Sequence, residues 1–182
     1  MRKFNAVLSI AIFALFLFHV IYGSFLMLGF VGGGSPVMTA VTWVMLAAIA
    51  VHVVIGIKLT ADTLIAVKRS GASYFRENKL FWIRRISGFA VMIFIFAHIG
   101  IFMGHNGADG YRLNLFDVPQ LIMSLLLVLS LLLHIVTNIR PLMTALAAKR
   151  GRELIADIAV ILSAVLLVSG IAFAVYFVSW SV

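Results

Sequence analysis

Five histidines carry the chemistry in this sequence: His19, His52, His98, His105 and His134. His98 sets the pattern. No Asp, Glu, Lys or Arg occurs from Ile86 to Ala108, and His98 sits within that run, beyond the Arg84–Arg85 pair. A run of this length can cross a bilayer as a helix, and a polar side chain at that depth is costly, which makes it a functional-site hypothesis. His19, His52 and His134 lie in comparable apolar stretches. A single histidine of this kind is accounted for by a hydrogen bond between helices. Four, one on each of four successive apolar segments, point to a shared ligand.

The elements that position them follow from composition. The 182 residues are 64% hydrophobic, with a mean hydropathy of +1.18, far above the roughly 45–50% apolar content of soluble domains. The expected architecture is an all-α membrane protein, a single domain over residues 1–182 built as a five-helix transmembrane bundle, with membrane lipid around it. The spans are expected at roughly 5–30, 37–58, 86–104, 118–139 and 156–180. Gly32-Gly33-Gly34-Ser35-Pro36 breaks the long uncharged stretch from Phe4 to Ile57 into two. The first segment is too long for a typical signal-peptide core and no clear small-x-small site follows it, so it reads as a retained span. There is no cysteine. Disulfides, thiolate zinc sites, iron–sulfur ligation and covalent haem attachment are therefore excluded.

The net charge of +8 does not indicate nucleic acid, because the cations sit in short clusters between apolar segments. With a cytoplasmic N-terminus, thirteen of the fourteen Lys and Arg residues lie on the inner side and only Arg112 lies outside. The expected topology is N-terminus in, C-terminus out. Trp180 suits an interfacial aromatic belt.

Depth sorts the histidines. At about 1.5 Å per residue, His19 and His98 both fall roughly 20 Å from the inner face, in the outer half of the bilayer. His52 and His134, on helices running the other way, fall in the inner half. Two pairs at two levels result, and 33 residues separate His19 from His52 while 36 separate His98 from His134. Two imidazoles from facing helices suit a haem iron with two axial ligands. Zinc would need a third or fourth ligand at the same depth, and a proton relay usually includes carboxylates, which the spans lack. Gly23 and Gly56 each follow a histidine by four residues on the same helix face, and Gly100 stands close to His98, leaving room for a flat macrocycle. Arg84, Arg85 and Arg140 are candidates for haem propionates, beside the plainer reading of positive-inside topology.

Residues 73–99, SYFRENKLFWIRRISGFAVMIFIFAHI, resemble the cytochrome b membrane subunit of succinate dehydrogenases and fumarate reductases, in its single-chain dihaem form. LFLFHVI around His19, VHVVIGI around His52 and LLLHIVTNI around His134 are similar to the other ligand helices of that family. The resemblance implies two b haems, one held by His19 and His98 on the outer side and one by His52 and His134 on the inner side, with the four histidines as iron ligands. It implies electron transfer between a quinone, expected to be menaquinone, and cytoplasmic iron–sulfur and flavoprotein subunits that carry the succinate or fumarate chemistry. It also implies a prokaryotic cytoplasmic membrane. The loops are short for the family. Some menaquinone-linked members carry a Glu close to the fourth-helix ligand, where this chain has Leu131, Leu132 and Leu133.

The quinone side is expected near the outer haem, where His105, Asp109 and Asp117 are the titratable groups. An unperturbed imidazole pKa of about 6.5 suits His105 to proton exchange, although an ordinary solvated loop histidine fits it too. Two other readings stand beside this one. The first is a free-standing dihaem quinol dehydrogenase serving another reductase, such as an extracytoplasmic flavoprotein. The second is a haem-free transporter or assembly factor whose histidines only join helices.

Overall fold

The structure, a computed structural model, describes residues 1–71, 78–103, 106–107, 110–111, 113, 116–146 and 152–180. Its helices are α1 (Arg2–Met27), α2 (Pro36–Ser70), α3 (Lys79–Phe102), α4 (Val118–Ala145) and α5 (Arg152–Trp180). Among the described residues, these five are long and apolar enough to cross a membrane. Between α3 and α4 lies a minimal antiparallel ladder, β1 (Asn106–Gly107) with β2 (Gly110–Tyr111).

Local sequence explains most of the helix ends. Ser35 caps α2 by accepting from the Met38 N–H at 3.4 Å, and Pro36 opens the helix where its missing N–H costs nothing. Gly71 closes α2 in the left-handed region at φ 67°. Asp117 and Gln120 form a reciprocal capping box on α4, at 3.2 and 3.1 Å. The glycine-rich break falls where expected, and the Tyr22 hydroxyl ties it back to α1 by donating to the Gly32 carbonyl at 2.9 Å.

Three expected boundaries are corrected. The helix expected to end near 58 runs on to Ser70, the one expected from 86 starts at Lys79, and the one expected to stop before Arg140-Pro141 continues to Ala145. The physical reason is the same in each case. A charged residue ends an apolar span, but it does not end a helix. Lys58 to Ser70 and Leu142 to Ala145 are rich in helix-forming residues, and Pro141 removes a single backbone bond without stopping the chain. Most of the polar segment expected as a loop from Lys58 to Arg85 is therefore helical extension.

Packing is uneven. α3 and α4 form the most extensive helix pair, α1 packs on α2 and on α5, and α5 also packs on α4. α5 supplies much of the buried core, with Leu162, Leu166, Ala172, Phe173 and Tyr176 nearly inaccessible. Buried Ser24, Ser87, Ser124 and Ser169 sit among the helices, as small residues do where helix backbones approach closely. Large apolar side chains such as Phe89, Phe96 and Val178 face outward, which suits contact with lipid. α5 thus closes one side of the bundle, and all five helices contribute to the lining of a cavity between them.

Candidate functional site

That cavity has a volume of about 1560 Å³, well above the roughly 300–1,000 Å³ of a site for one drug-sized ligand. All four histidines of the apolar spans, His19, His52, His98 and His134, line it.

Three of these imidazoles are held in the same way, by a hydroxyl from the neighbouring helix. His19 Nδ1 lies 3.3 Å from Thr42 Oγ1. His52 Nδ1 lies 3.4 Å from Ser9 Oγ. His134 Nδ1 lies 3.3 Å from Ser87 Oγ. These contacts are long, and each hydroxyl also has a carbonyl within reach on its own helix. Thr42 Oγ1 donates its proton to the Met38 carbonyl at 2.9 Å, Ser9 Oγ to the Asn5 carbonyl at 2.8 Å, and Ser87 Oγ to the Arg84 carbonyl at 3.2 Å. A hydroxyl has one proton to give. Each hydroxyl can accept from an Nδ1–H while it donates to the carbonyl on its own helix, an arrangement in which Nε2 would keep its lone pair. Among the described residues no hydrogen bond engages any of these Nε2 atoms.

The histidines meet in twos. The His19 and His98 ring centres are 6.2 Å apart with planes at 76°, and His52 and His134 line the same cavity from α2 and α4. Ser9 beside His52 places that second pair at the end of the bundle where α1 begins. Among the described residues no three His, Cys, Asp or Glu side chains converge on one point. A free metal ion that needs three or four protein donors is poorly served by such pairs. An iron that brings its own four equatorial nitrogens needs only two. Metal–imidazole bonds are near 2 Å, and the ring centre lies about 1 Å behind the nitrogen. Two imidazoles on opposite sides of one metal then have centres roughly 6 Å apart, in accord with the separation of His19 and His98.

The space beside two of the histidines is open. Gly23 and Gly56 line the cavity, and a Cβ added at either would meet nothing within 4 Å. Gly88 is different: a Cβ there would come within 3.0 Å of His134 Cε1 and 3.3 Å of its Nδ1. Gly100 is exposed and does not line the cavity. His98 is the exception among the four histidines, since its Nδ1 is buried with no hydrogen-bond partner among the described residues. Its ring packs on Phe102, with centres 4.6 Å apart.

At the end where α1 begins, Arg84 and Arg85 line the cavity together with Arg2, Asn5 and Asn138. The Arg85 guanidinium lies over the Phe81 ring, 5.0 Å from its centre. Arg140, grouped with them from sequence, is exposed and does not belong to the lining. Arg2, read from sequence only as a topology signal, does. His105 and Asp109 lie outside the described residues. Asp117 is engaged as the N-cap of α4.

No protein-family model, curated protein or solved structure matches this chain.

Ser9, Thr42, Ser87 and Gly88 are the site residues that sequence reasoning misses. Ser9 and Thr42 carry no signal of their own. Ser87 and Gly88 stand in the RRISG segment, but they serve His134 on the next helix and not His98 on their own.

Proposed function

We propose that this chain is a membrane dihaem cytochrome b that passes electrons between a quinone pool and a redox partner, as the membrane anchor of a succinate dehydrogenase/fumarate reductase-type complex. One observation carries the reading: four histidines, on four helices, line a single cavity, His19 facing His98 within it, and three of the four have Nδ1 beside a hydroxyl of the neighbouring helix. His19 and His98 would hold one haem b, and His52 and His134 the other. Bound there, each haem would supply one-electron carriage.

The protein's own contribution is to hold ligands and to exclude water. Thr42, Ser9 and Ser87 fix imidazole orientation, as outer-shell partners of metal-ligating histidines do. Gly23 and Gly56 leave open surface beside their ligands. Arg84, Arg85 and Arg2 offer cations to carboxylates at one mouth of the cavity. Phe102, packed against the buried cluster of Met27, Phe116, Ala172, Phe173 and Tyr176, rests on the His98 ring.

The basic asymmetry favours a cytoplasmic N-terminus and an outer C-terminus in a prokaryotic cytoplasmic membrane. The His52/His134 pair would then face the cytoplasm, where the basic helix extensions of α2 and α3 would meet an iron–sulfur subunit and, beyond it, a flavoprotein. The quinone, taken as menaquinone, would exchange electrons at the His19/His98 end, with His105 and Asp109 as candidates for proton exchange.

The test is reduction of the isolated protein by a menaquinol analogue, followed in the α-band region. The expected result is rapid reduction that slows when His105 and Asp109 are substituted, with both haems retained. Wild-type rates in those variants, with loss of reduction on changes near His52 and His134, would move the quinone to the other end.

A further inference from the structure

Ser87 and Gly88 are carried on α3, the helix of His98, and the sequence offers no reason to separate them from that histidine. Ser87 and His98 are eleven positions apart on this helix, a rise of about 16 Å. Ser87 is therefore at a different level of the bundle. Its neighbour across the α3–α4 interface, the most extensive in the molecule, is His134.

Both residues fit that imidazole closely. Ser87 is 3% exposed. Its hydroxyl can donate to the Arg84 carbonyl at 3.2 Å, which leaves the oxygen as an acceptor facing His134 Nδ1 at 3.3 Å. At Gly88 there is no room for a methyl group, because a Cβ would sit 3.0 Å from His134 Cε1. The ring would have to move by a few tenths of an ångström or turn about its Cβ–Cγ bond. His98 has neither device, since its Nδ1 has no partner among the described residues and its ring rests on Phe102.

We infer that Ser87 and Gly88 are positioning residues for His134, so that the helix carrying one haem's ligand sets the orientation and basicity of a ligand to the other haem. This deepens, and rests on, the dihaem reading. An Nδ1–H that donates to a hydroxyl makes the imidazole a stronger electron donor through Nε2 and favours ferric over ferrous iron. Loss of the Ser87 hydroxyl weakens that preference, with the Arg84 carbonyl as the acceptor that remains near His134. A tenfold change in the ratio of ferric to ferrous affinity moves a one-electron potential by about 59 mV.

The experiment is redox titration and low-temperature EPR of the purified wild-type protein and of Ser87→Ala, Ser87→Thr and Gly88→Ala. The centre that vanishes in His52→Ala identifies the His52/His134 haem. Ser87→Ala should raise the midpoint potential of that haem and leave the other unmoved, and Ser87→Thr should restore it by returning a hydroxyl. Gly88→Ala should alter the g-values of the same haem. If Gly88→Ala does not accumulate, the Ser87 pair decides the matter alone. Movement of the His19/His98 haem instead, or unmoved potentials in Ser87→Ala, would overturn the inference while leaving the dihaem reading intact. A wild-type protein without haem would overturn the dihaem reading itself.

Discussion

His19 and His98 face each other from α1 and α3 with ring centres 6.2 Å apart and planes at 76°. If these two imidazoles hold one haem in this orientation, their near-perpendicular planes would act on different iron π orbitals and leave them close in energy. The expected low-temperature EPR spectrum of the oxidised protein therefore contains a strongly anisotropic low-spin signal, absent in His19→Ala and in His98→Ala. Rhombic signals alone, with both haems present, would contradict this geometry.

The glycines separate cofactor sterics from helix stability. A helix interior favours Ala over Gly by roughly 0.8–1 kcal/mol, and no protein atom lies within 4 Å of a Cβ built on Gly23, Gly56 or Gly100. The helices themselves can accept larger side chains there. Gly23→Val should lower occupancy of the His19/His98 haem, and Gly56→Val that of the His52/His134 haem. Gly100→Val, away from the cavity, should lower neither. Haem content per folded protein, read by absorbance, is the measurement, and equal loss in all three variants would count against the assignment.

Much of this candidate site was legible in the sequence, and what was missed has a physical pattern. Apolar run length gave the number of spans, and counting along opposed helices brought His19 to the level of His98. Those signals are periodic and local. The helix ends at Ser70, Lys79 and Ala145 differ from the span ends, because hydropathy reports where a membrane would end and not where backbone hydrogen bonding ends. Ser9 and Thr42 lie 43 and 23 positions from the histidines they meet. Such contacts depend on the rotation of one helix against the next, which composition does not encode. Arg140 differs from Arg84 and Arg85 in the same way: all stand near a span end, but only the latter two line the cavity.

Arg85 gives an electrostatic prediction. It lines the cavity together with His52 and His134, and a fixed cation near a haem would favour the reduced form. Arg85→Gln should lower the midpoint potential of the His52/His134 haem. The effect at a partly screened site is on the order of 1 kcal/mol, roughly 40 mV. Arg140→Gln, on an exposed position, should have a smaller effect. A larger shift from Arg140 than from Arg85, in potentiometric titration, would reverse their roles.

Topology is tested by labelling. The chain has no cysteine, so single cysteines report cleanly. Ser70→Cys, at the end of α2, should be protected from an impermeant thiol reagent in intact cells, and Asn106→Cys, on β1, should react. The opposite pattern would invert the bundle and exchange the membrane sides of the two haems.

Haem ligation itself is decided by the haem-to-protein ratio, by pyridine haemochrome, of the purified wild-type chain and its four single histidine variants. Two b haems are expected in the wild type and one in each variant. His19→Ala and His98→Ala should lose the same haem, and His52→Ala and His134→Ala the other. A well-folded wild-type protein containing no haem would contradict the dihaem assignment.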